Sequence, residues 1–219
     1  MPRLLFEKRG NAIWISHLDL MRLFQRAFKR AGLPLTHTHG FNPRPSVSIA
    51  LPLSVGVESR CELLDFALAV EGVSCQQIKD RLNDSLVAGI TVLDVYDDGR
   101  KVRDLTLLDC SITFCYDQDV PDYAAEKISA LFGRDQVVVP KKTKSGIQDQ
   151  NIVSMIRRFN VEEAGVGELV IRCLICCQNP TLNPAQIPLA VTKYLPELTP
   201  DHTTCCRLEV YDSNESVFR

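Results

Sequence analysis

The chain has 219 residues, 45% hydrophobic and 24% charged, with a formal net charge of −2; this is ordinary globular material, long enough for two domains of about 100 residues. It holds no run of roughly 18 or more apolar residues, and Met1-Pro2-Arg3-Leu4 lacks the apolar stretch of a signal peptide, which argues against a membrane or exported protein and for a cytoplasmic one. Nine cysteines, an odd number with several inside strand-like apolar runs, read as reduced, buried thiols and not as a disulfide framework.

In chain order, Arg3 to Lys8 is apolar at Leu4, Leu5 and Phe6 and predicts a strand, and Gly10-Asn11 turns it into a second short strand end over Ala12 to Ile15. Ser16 with Asp19 three residues on is a variant capping box and Gly32 a stop, so a helix is predicted from roughly His17 to Ala31. Leu20, Leu23, Phe24, Ala27, Phe28 and Ala31 recur at helical spacing on one side, whereas Arg22, Arg26, Lys29 and Arg30 fall on the other. An extended segment through Leu35, His37 and His39 leads into a proline-braced loop, Gly40-Phe41-Asn42-Pro43-Arg44-Pro45, and then a strand from Ser46 to Leu53. Cys61 to Val70 repeats the strand signal, Ser74 caps a helix running to Leu86, and Gly89 to Tyr96 is the next strand. The order β-α-β-β-α-β is the ferredoxin-like pattern.

After a polar joint at Asp97-Asp98-Gly99-Arg100-Lys101, a similar order is predicted again. Leu105 to Tyr116 is a strand, Tyr123 to Phe132 a helix and Gln136 to Val139 a strand; then come a strand at Glu168 to Cys177, a helix at Pro188 to Leu195 and a strand at Cys206 to Tyr211. Between them, Lys141 to Gly146 reads as a mobile basic tip and Ile152 to Phe159 as a short helix. The expected architecture is α+β, two tandem ferredoxin-like (βαββαβ) units over residues 1–98 and 102–213, on element order alone, since the halves share no sequence identity.

The small net charge hides an asymmetry. Residues 1–60 hold nine Lys/Arg against three Asp/Glu, residues 61–135 seven against fifteen, and residues 136–219 nine of each. A basic end on an acidic body is the pattern of an anion-binding face, with nucleic acid the commonest large polyanion in a cytoplasm. The alternative is a solvated helix face that only keeps the protein soluble. Arg44 sits between two prolines, each of which fixes its own φ and pushes its predecessor toward extended geometry. Gly40 permits close approach of a phosphate or base, and Asn42 has the means to bond its own backbone. Arg44, Asn42 and Phe41 beside the stripe of Arg22, Arg26, Lys29 and Arg30 would make a grip for an anion or nucleotide; the alternative is a stiff loop whose Arg44 pairs with an acid such as Glu58.

His17 lies in the first turn of the predicted helix, where the positive dipole end favours a neutral imidazole available as a general base. With His37 or His39 as the acid, metal-independent RNA cleavage through the 2′-OH is one reading, and a structural hydrogen-bonder the other. No carboxylate or cysteine at ligand spacing accompanies His37-Thr38-His39, and strand periodicity sends Cys173 and Cys177 to one face and Cys176 to the other, so neither a metal nor another cofactor is expected. Trp14, the only tryptophan, is a hydrophobic staple or a base-stacking platform. Asp65 is expected to face the basic helix, and no P-loop, GxGxxG, GxSxG or HExxH occurs.

Four segments carry a family resemblance: Ser16-His17-Leu18-Asp19-Leu20-Met21-Arg22, Arg26-Ala27-Phe28-Lys29-Arg30-Ala31-Gly32-Leu33-Pro34, Gly40-Phe41-Asn42-Pro43-Arg44-Pro45, and Leu51-Pro52-Leu53 with Gly56-Val57-Glu58-Ser59. The chain resembles the bacterial radical-SAM-associated (radical-SAM-linked) proteins, uncharacterised domains fused to cobalamin-binding radical SAM proteins or separate from them. The resemblance is dense over roughly residues 3–70 and thins afterwards, returning at Lys141 to Gly146 and Arg207-Leu208-Glu209-Val210-Tyr211. It implies a radical SAM protein as partner and, the family having no established activity, a neighbourhood and not a mechanism. The chain has no CxxxCxxC cluster, so it is not that enzyme's catalyst. RNA-processing endonucleases of CRISPR systems, also tandem ferredoxin-like and often with a histidine in a comparable region, are similar at the level of fold. The expected function is an accessory protein that binds RNA, tRNA or rRNA in particular, or presents substrate to a cobalamin-dependent radical SAM enzyme. Two other classes stand beside it: an endoribonuclease with His17 as base, and a pure protein-interaction module.

Overall fold

The computed structural model describes residues 1–143 and 146–219. The fold is mixed α/β, with four α-helices and mostly antiparallel strand pairing among the described residues. The chain divides into two compact units, Met1–Asp104 with Phe218–Arg219, and Leu105–Val217.

The first unit runs β1 (Arg3–Lys8), α1 (His17–Arg30), β2 (Val47–Ile49), β3 (Glu58–Phe66), α2 (Cys75–Asn83) and β4 (Ile90–Tyr96). Strand β1 lies between β4 and β3, and β2 pairs with the end of β3, Val47 opposite Phe66 and Ile49 opposite Leu64; every pairing is antiparallel. Helix α1 begins where expected because the Ser16 hydroxyl accepts from the Asp19 amide at 3.2 Å and donates to its carboxylate at 2.8 Å. It ends in a Schellman turn: Gly32 takes φ +67°, its N–H bonds Lys29 O, and the Leu33 N–H reaches back to Phe28 O at 2.9 Å. The apolar face then buries Leu20, Phe24 and Phe28 against the sheet, with Phe24 edge-on to Phe6 at 4.7 Å and Phe28 tilted on Phe66 at 5.1 Å. Helix α2 carries a complete capping box, Ser74 with Gln77, and adds Ile78 and Leu82 to the same core.

Three expectations for this half are corrected. Ala12 to Ile15 is no strand: Gly10–Trp14 is a 3-10 turn, and the buried Lys8 ammonium donates to the Ile13 and Ile15 carbonyls at 3.1 and 2.9 Å, so no strand partner is needed there. The strand expected over Ser46 to Leu53 shrinks to β2, since Pro45 and Pro52 cannot donate to a ladder. Asp65 does not face the basic helix. It lies directly across from Arg3 and grips that buried guanidinium twice, at 2.6 and 3.0 Å.

The second unit runs β5 (Leu107–Cys115), α3 (Ala124–Phe132), β6 (Val138–Thr143), β7 (Gly146–Asn151), β8 (Ile156–Gly165), β9 (Glu168–Cys176), α4 (Gln186–Tyr194) and β10 (His202–Tyr211). Its sheet order is β10-β5-β9-β8, antiparallel throughout, and β6 and β7 form a separate two-stranded ribbon. The short helix expected at Ile152 to Phe159 is corrected to a 3-10 turn, Val153–Met155, followed by β8. The spacing of Ile152, Met155, Ile156 and Phe159 imitates a helix. Yet pairing along β9 supplies hydrogen bonds that so short a helix cannot match, and Phe159 reaches the core by stacking on Phe132 at 4.4 Å. Of the basic tip, Lys141 and Lys142 are paired in the ribbon, opposite Gln148 and Ile147; Lys144 and Ser145 lie outside the described residues. No disulfide joins any of the nine cysteines among the described residues. Burial pushes the Cys177 and Cys205 thiols up to about 12, and Cys110 faces Cys173 across β5 and β9 with the sulfurs 3.4 Å apart. No helix among the described residues is long and apolar enough to cross a membrane.

Candidate nucleic-acid interface

Positions 22, 26, 29 and 30 of α1 fall on one side of the helix, and all four cations are exposed. Their partners differ. Arg22 reaches Asp19 at 3.0 Å, one turn back, and Asp19 is held below the ordinary carboxylate range, first by the Ser16 hydroxyl and then by Arg22. Arg30 donates to the Ser85 carbonyl at 2.5 Å, a neutral acceptor that leaves its charge uncancelled. Arg26 and Lys29 have no ion-pair partner among the described residues. Lys29 and Arg30 occupy the last turn, where the negative end of the helix dipole favours them.

The segment after α1 doubles back as a short hairpin. Thr36 donates to Ala67 O at 2.8 Å, Ser46 to Thr36 O at 2.8 Å and Ala69 to Pro34 O at 2.8 Å, which ties the root to the chain after β3. Further out, His37 bridges to Pro45, and Thr38 clamps Arg44 from both sides. The Thr38 N–H donates to Arg44 O at 2.8 Å and the Arg44 N–H donates to the Thr38 hydroxyl at 3.0 Å. Beyond the clamp, His39 to Arg44 are exposed, Phe41 completely so at 112%. The Arg44 guanidinium has no ion-pair partner among the described residues; Glu58, the expected acid, accepts from the Gly10 amide at 3.3 Å. Asn42 makes no side-chain hydrogen bond among the described residues, so the self-bond read from sequence is absent.

The structure thus gathers Arg22, Arg26, Lys29 and Arg30 on one face, and Leu33 and Pro34 join the end of that face directly to the root of the hairpin bearing Phe41, Asn42 and Arg44. No hydrogen bond or ion pair among the described residues ties the two groups together. His17 is the first residue of α1, half-buried, with its Nδ1 enclosed and without a hydrogen-bond partner among the described residues. His37 and His39 are exposed on the hairpin, and among the described residues no hydrogen bond links either to His17. Among the described residues no group of three or more His, Cys, Asp or Glu is arranged to hold a metal ion.

Over residues 2–184 the sequence matches a family described as an uncharacterized protein conserved in bacteria, DUF2344. The chain belongs to that family. No curated protein matches it. Among solved structures it is similar to a Cbf5-Nop10-Gar1 complex, with a TM-score of 0.53 and 9% identity, covering 95% of this chain and 48% of that one. It is also similar to an H/ACA RNP bound to a substrate RNA containing 2′-deoxyuridine (TM-score 0.49, 8% identity, 94% and 46%). An archaeal box H/ACA sRNP Nop10-Cbf5 complex gives TM-score 0.48, 9% identity, 94% and 46%. The chain spans about half the length of these structures, and at such identity the first likeness is one of fold alone.

Two features of this family member are not legible in its sequence. Thr38, which fixes the backbone of Arg44, has no motif of its own; its one signal is its place six residues before Arg44 in an extended segment. The second is a depression of about 630 Å³ in the second unit, lined by Asp109, Arg158, Asn160, Arg172 and Tyr211 among others. There Arg158 meets Glu215 at 3.2 Å and Arg172 meets Glu162 at 3.6 Å, while burial pushes Asp109 up against the downward pull of both arginines. A helical reading of the start of β8 hides this wall.

Proposed function

We propose that the exposed face of α1 and the tip of the hairpin bind RNA, and that the chain serves as a noncatalytic, substrate-presenting partner of a radical SAM enzyme in the cytoplasm. The observation that carries the RNA reading is the charge balance of α1: four exposed cations with Asp19 as the one acid of the helix, and beyond its end Arg44 with no ion-pair partner among the described residues. Cations spaced for mutual repulsion, with one acid among four of them, suit a polyanion whose phosphates complete them. Thr38 supports a positioning role for Arg44, since a fixed backbone lowers the entropy cost of holding a guanidinium on a phosphate or base. The radical SAM partner rests on the family resemblance of the helix and loop segments, and tRNA or rRNA is the substrate class that reading names. The antiparallel orders β4-β1-β3-β2 and β10-β5-β9-β8, each with two helical connections, support reading both units as ferredoxin-like, with the β6–β7 ribbon inserted in the second.

The experiment is a salt titration of tRNA binding. Replacing Arg22, Arg26 and Arg30 with alanine should weaken binding roughly tenfold or more and flatten the slope of log K against log[salt] by about 2, at roughly 0.7–0.9 for each phosphate no longer neutralised. Alanine suits exposed helical positions, so circular dichroism should be unchanged. Arg158→Ala with Arg172→Ala, whose arginines already have acids, should leave affinity within about a factor of two. An unchanged slope in the α1 variant overturns the reading, and fragments ending in 2′,3′-cyclic phosphate that vanish in His17→Ala would replace it with cleavage.

A further inference from the structure

Trp14 closes the 3-10 turn just before α1 and is 67% exposed. A staple would be buried against the helix, so this ring has another occupation. Its six-membered ring lies on the backbone of Gly56: a Cβ added there would stand 3.4 Å from Cζ3 and 3.8 Å from Cη2. The Gly56 N–H donates to Ile13 O at 2.9 Å, holding that loop beside the residue preceding Trp14. The indole is therefore backed by main chain, with most of its surface left to solvent. Leu18, also 67% exposed, follows four residues later, and the line Leu18, Arg22, Arg26 continues at helical spacing into Lys29 and Arg30. On α1, Leu18 is followed at helical spacing by Arg22, which is paired with Asp19, and then by Arg26, Lys29 and Arg30, a cationic run that covers about 12 Å from Arg22 to Arg30 at 1.5 Å per residue.

We propose that Trp14 is the stacking platform for one unpaired base of a single-stranded RNA whose phosphates follow Arg22, Arg26, Lys29 and Arg30. The inference rests on the RNA reading above and deepens it, because it assigns a single strand. A duplex keeps its bases paired inside and offers no face to the indole, whereas every unpaired base has one. Charge decides between this occupant and an apolar protein partner: the exposed aromatic stands just before a helix whose exposed side is mostly cationic, which a nucleotide satisfies with base and phosphate together and an apolar surface does not.

Because the chain has one tryptophan, its indole emission reports on this ring alone. The full chain is titrated with a single-stranded oligouridylate about a dozen nucleotides long, following tryptophan emission in one arm and the anisotropy of the same oligonucleotide carrying a terminal fluorophore in the other. The expected result is quenching that saturates together with the anisotropy, loss of binding by roughly 5- to 150-fold in Trp14→Ala, near-normal binding in Trp14→Tyr, and no quenching by a duplex of matched length. An anisotropy rise with unchanged emission, or full affinity in Trp14→Ala, overturns the platform and leaves RNA binding intact. No anisotropy change with either the oligouridylate or tRNA removes the RNA reading itself, and the platform with it.

Discussion

Helix α1 in the first unit and the wall that Arg158 and Arg172 form on β8 and β9 in the second both carry exposed arginines, yet the two settle their charges in opposite ways. On paired antiparallel strands a side chain's neighbours across the ladder stand within reach, and Arg172 finds Glu162 there, while Arg158 finds Glu215 in the turn after β10. On α1 the neighbours three and four residues away are other cations, and one acid, Asp19, serves the first turn. Both surfaces are exposed and arginine-bearing, so arginine content alone does not mark an anion site. The discriminating feature is whether carboxylates of the same unit stand opposite, and on that measure the helix is the open surface and the wall of Arg158 and Arg172 the closed one.

The largest expected effect comes from the third kind of arginine, the buried one. Arg3 is 1% exposed, held by both oxygens of Asp65 and stacked on Phe218 at 5.1 Å. Asp65→Ala should cost about 3–5 kcal/mol, because it strands a guanidinium that is already out of water, whereas Arg3→Met with Asp65→Leu should fall close to the parent. Urea unfolding measures both, and a loss under about 1 kcal/mol in Asp65→Ala would mean water reaches the site, making the buried and the surface arginines the same case. The next effect is smaller and opposite in sign. If α1 carries uncompensated repulsion, Arg26→Gln should raise stability by about 0.2–0.5 kcal/mol at low ionic strength, with the gain vanishing near 1 M salt, where the screening length is about 3 Å. A gain that persists in high salt would place its origin in packing or helix propensity, and the contrast between helix and strands would lose its electrostatic basis.

How far the sequence discloses all this follows from which forces are local. Capping and periodicity act within a few residues, so the start of α1 at Ser16, its stop at Gly32 and the burial of Leu20, Phe24 and Phe28 are readable from sequence. The identity of a cross-strand partner is not local. Sequence assigns Asp65 to the wrong cation because nothing near it announces Arg3, 62 residues away. Strand β8 is hidden because Ile152, Met155, Ile156 and Phe159 satisfy a helical template, and only the edge of β9 decides against it. The exposed residues of the candidate site are readable as types; the Thr38 clamp and the bed of Gly56 under Trp14 depend on chain segments that meet only after folding.

The smallest effect tests the closed side of the comparison through pH. Asp109 is half-buried in the depression of the second unit, and burial lifts its pKa above the ordinary 3.8 against the opposing pull of Arg158 and Arg172. A carboxyl raised in the folded state binds its proton more tightly there than in the unfolded chain. Stability therefore declines as pH climbs from below 3.8 through the raised folded value, and is flat above it. Asp109→Asn keeps the shape and removes the titration, so its melting temperature relative to the parent should rise across that window and hold steady toward neutrality, with the two curves meeting in acid. Opposite behaviour, a variant that loses ground as pH rises, would show that the arginines outweigh burial at Asp109. The wall would then be short of negative charge, and the strands would join the helix as a surface open to an outside anion.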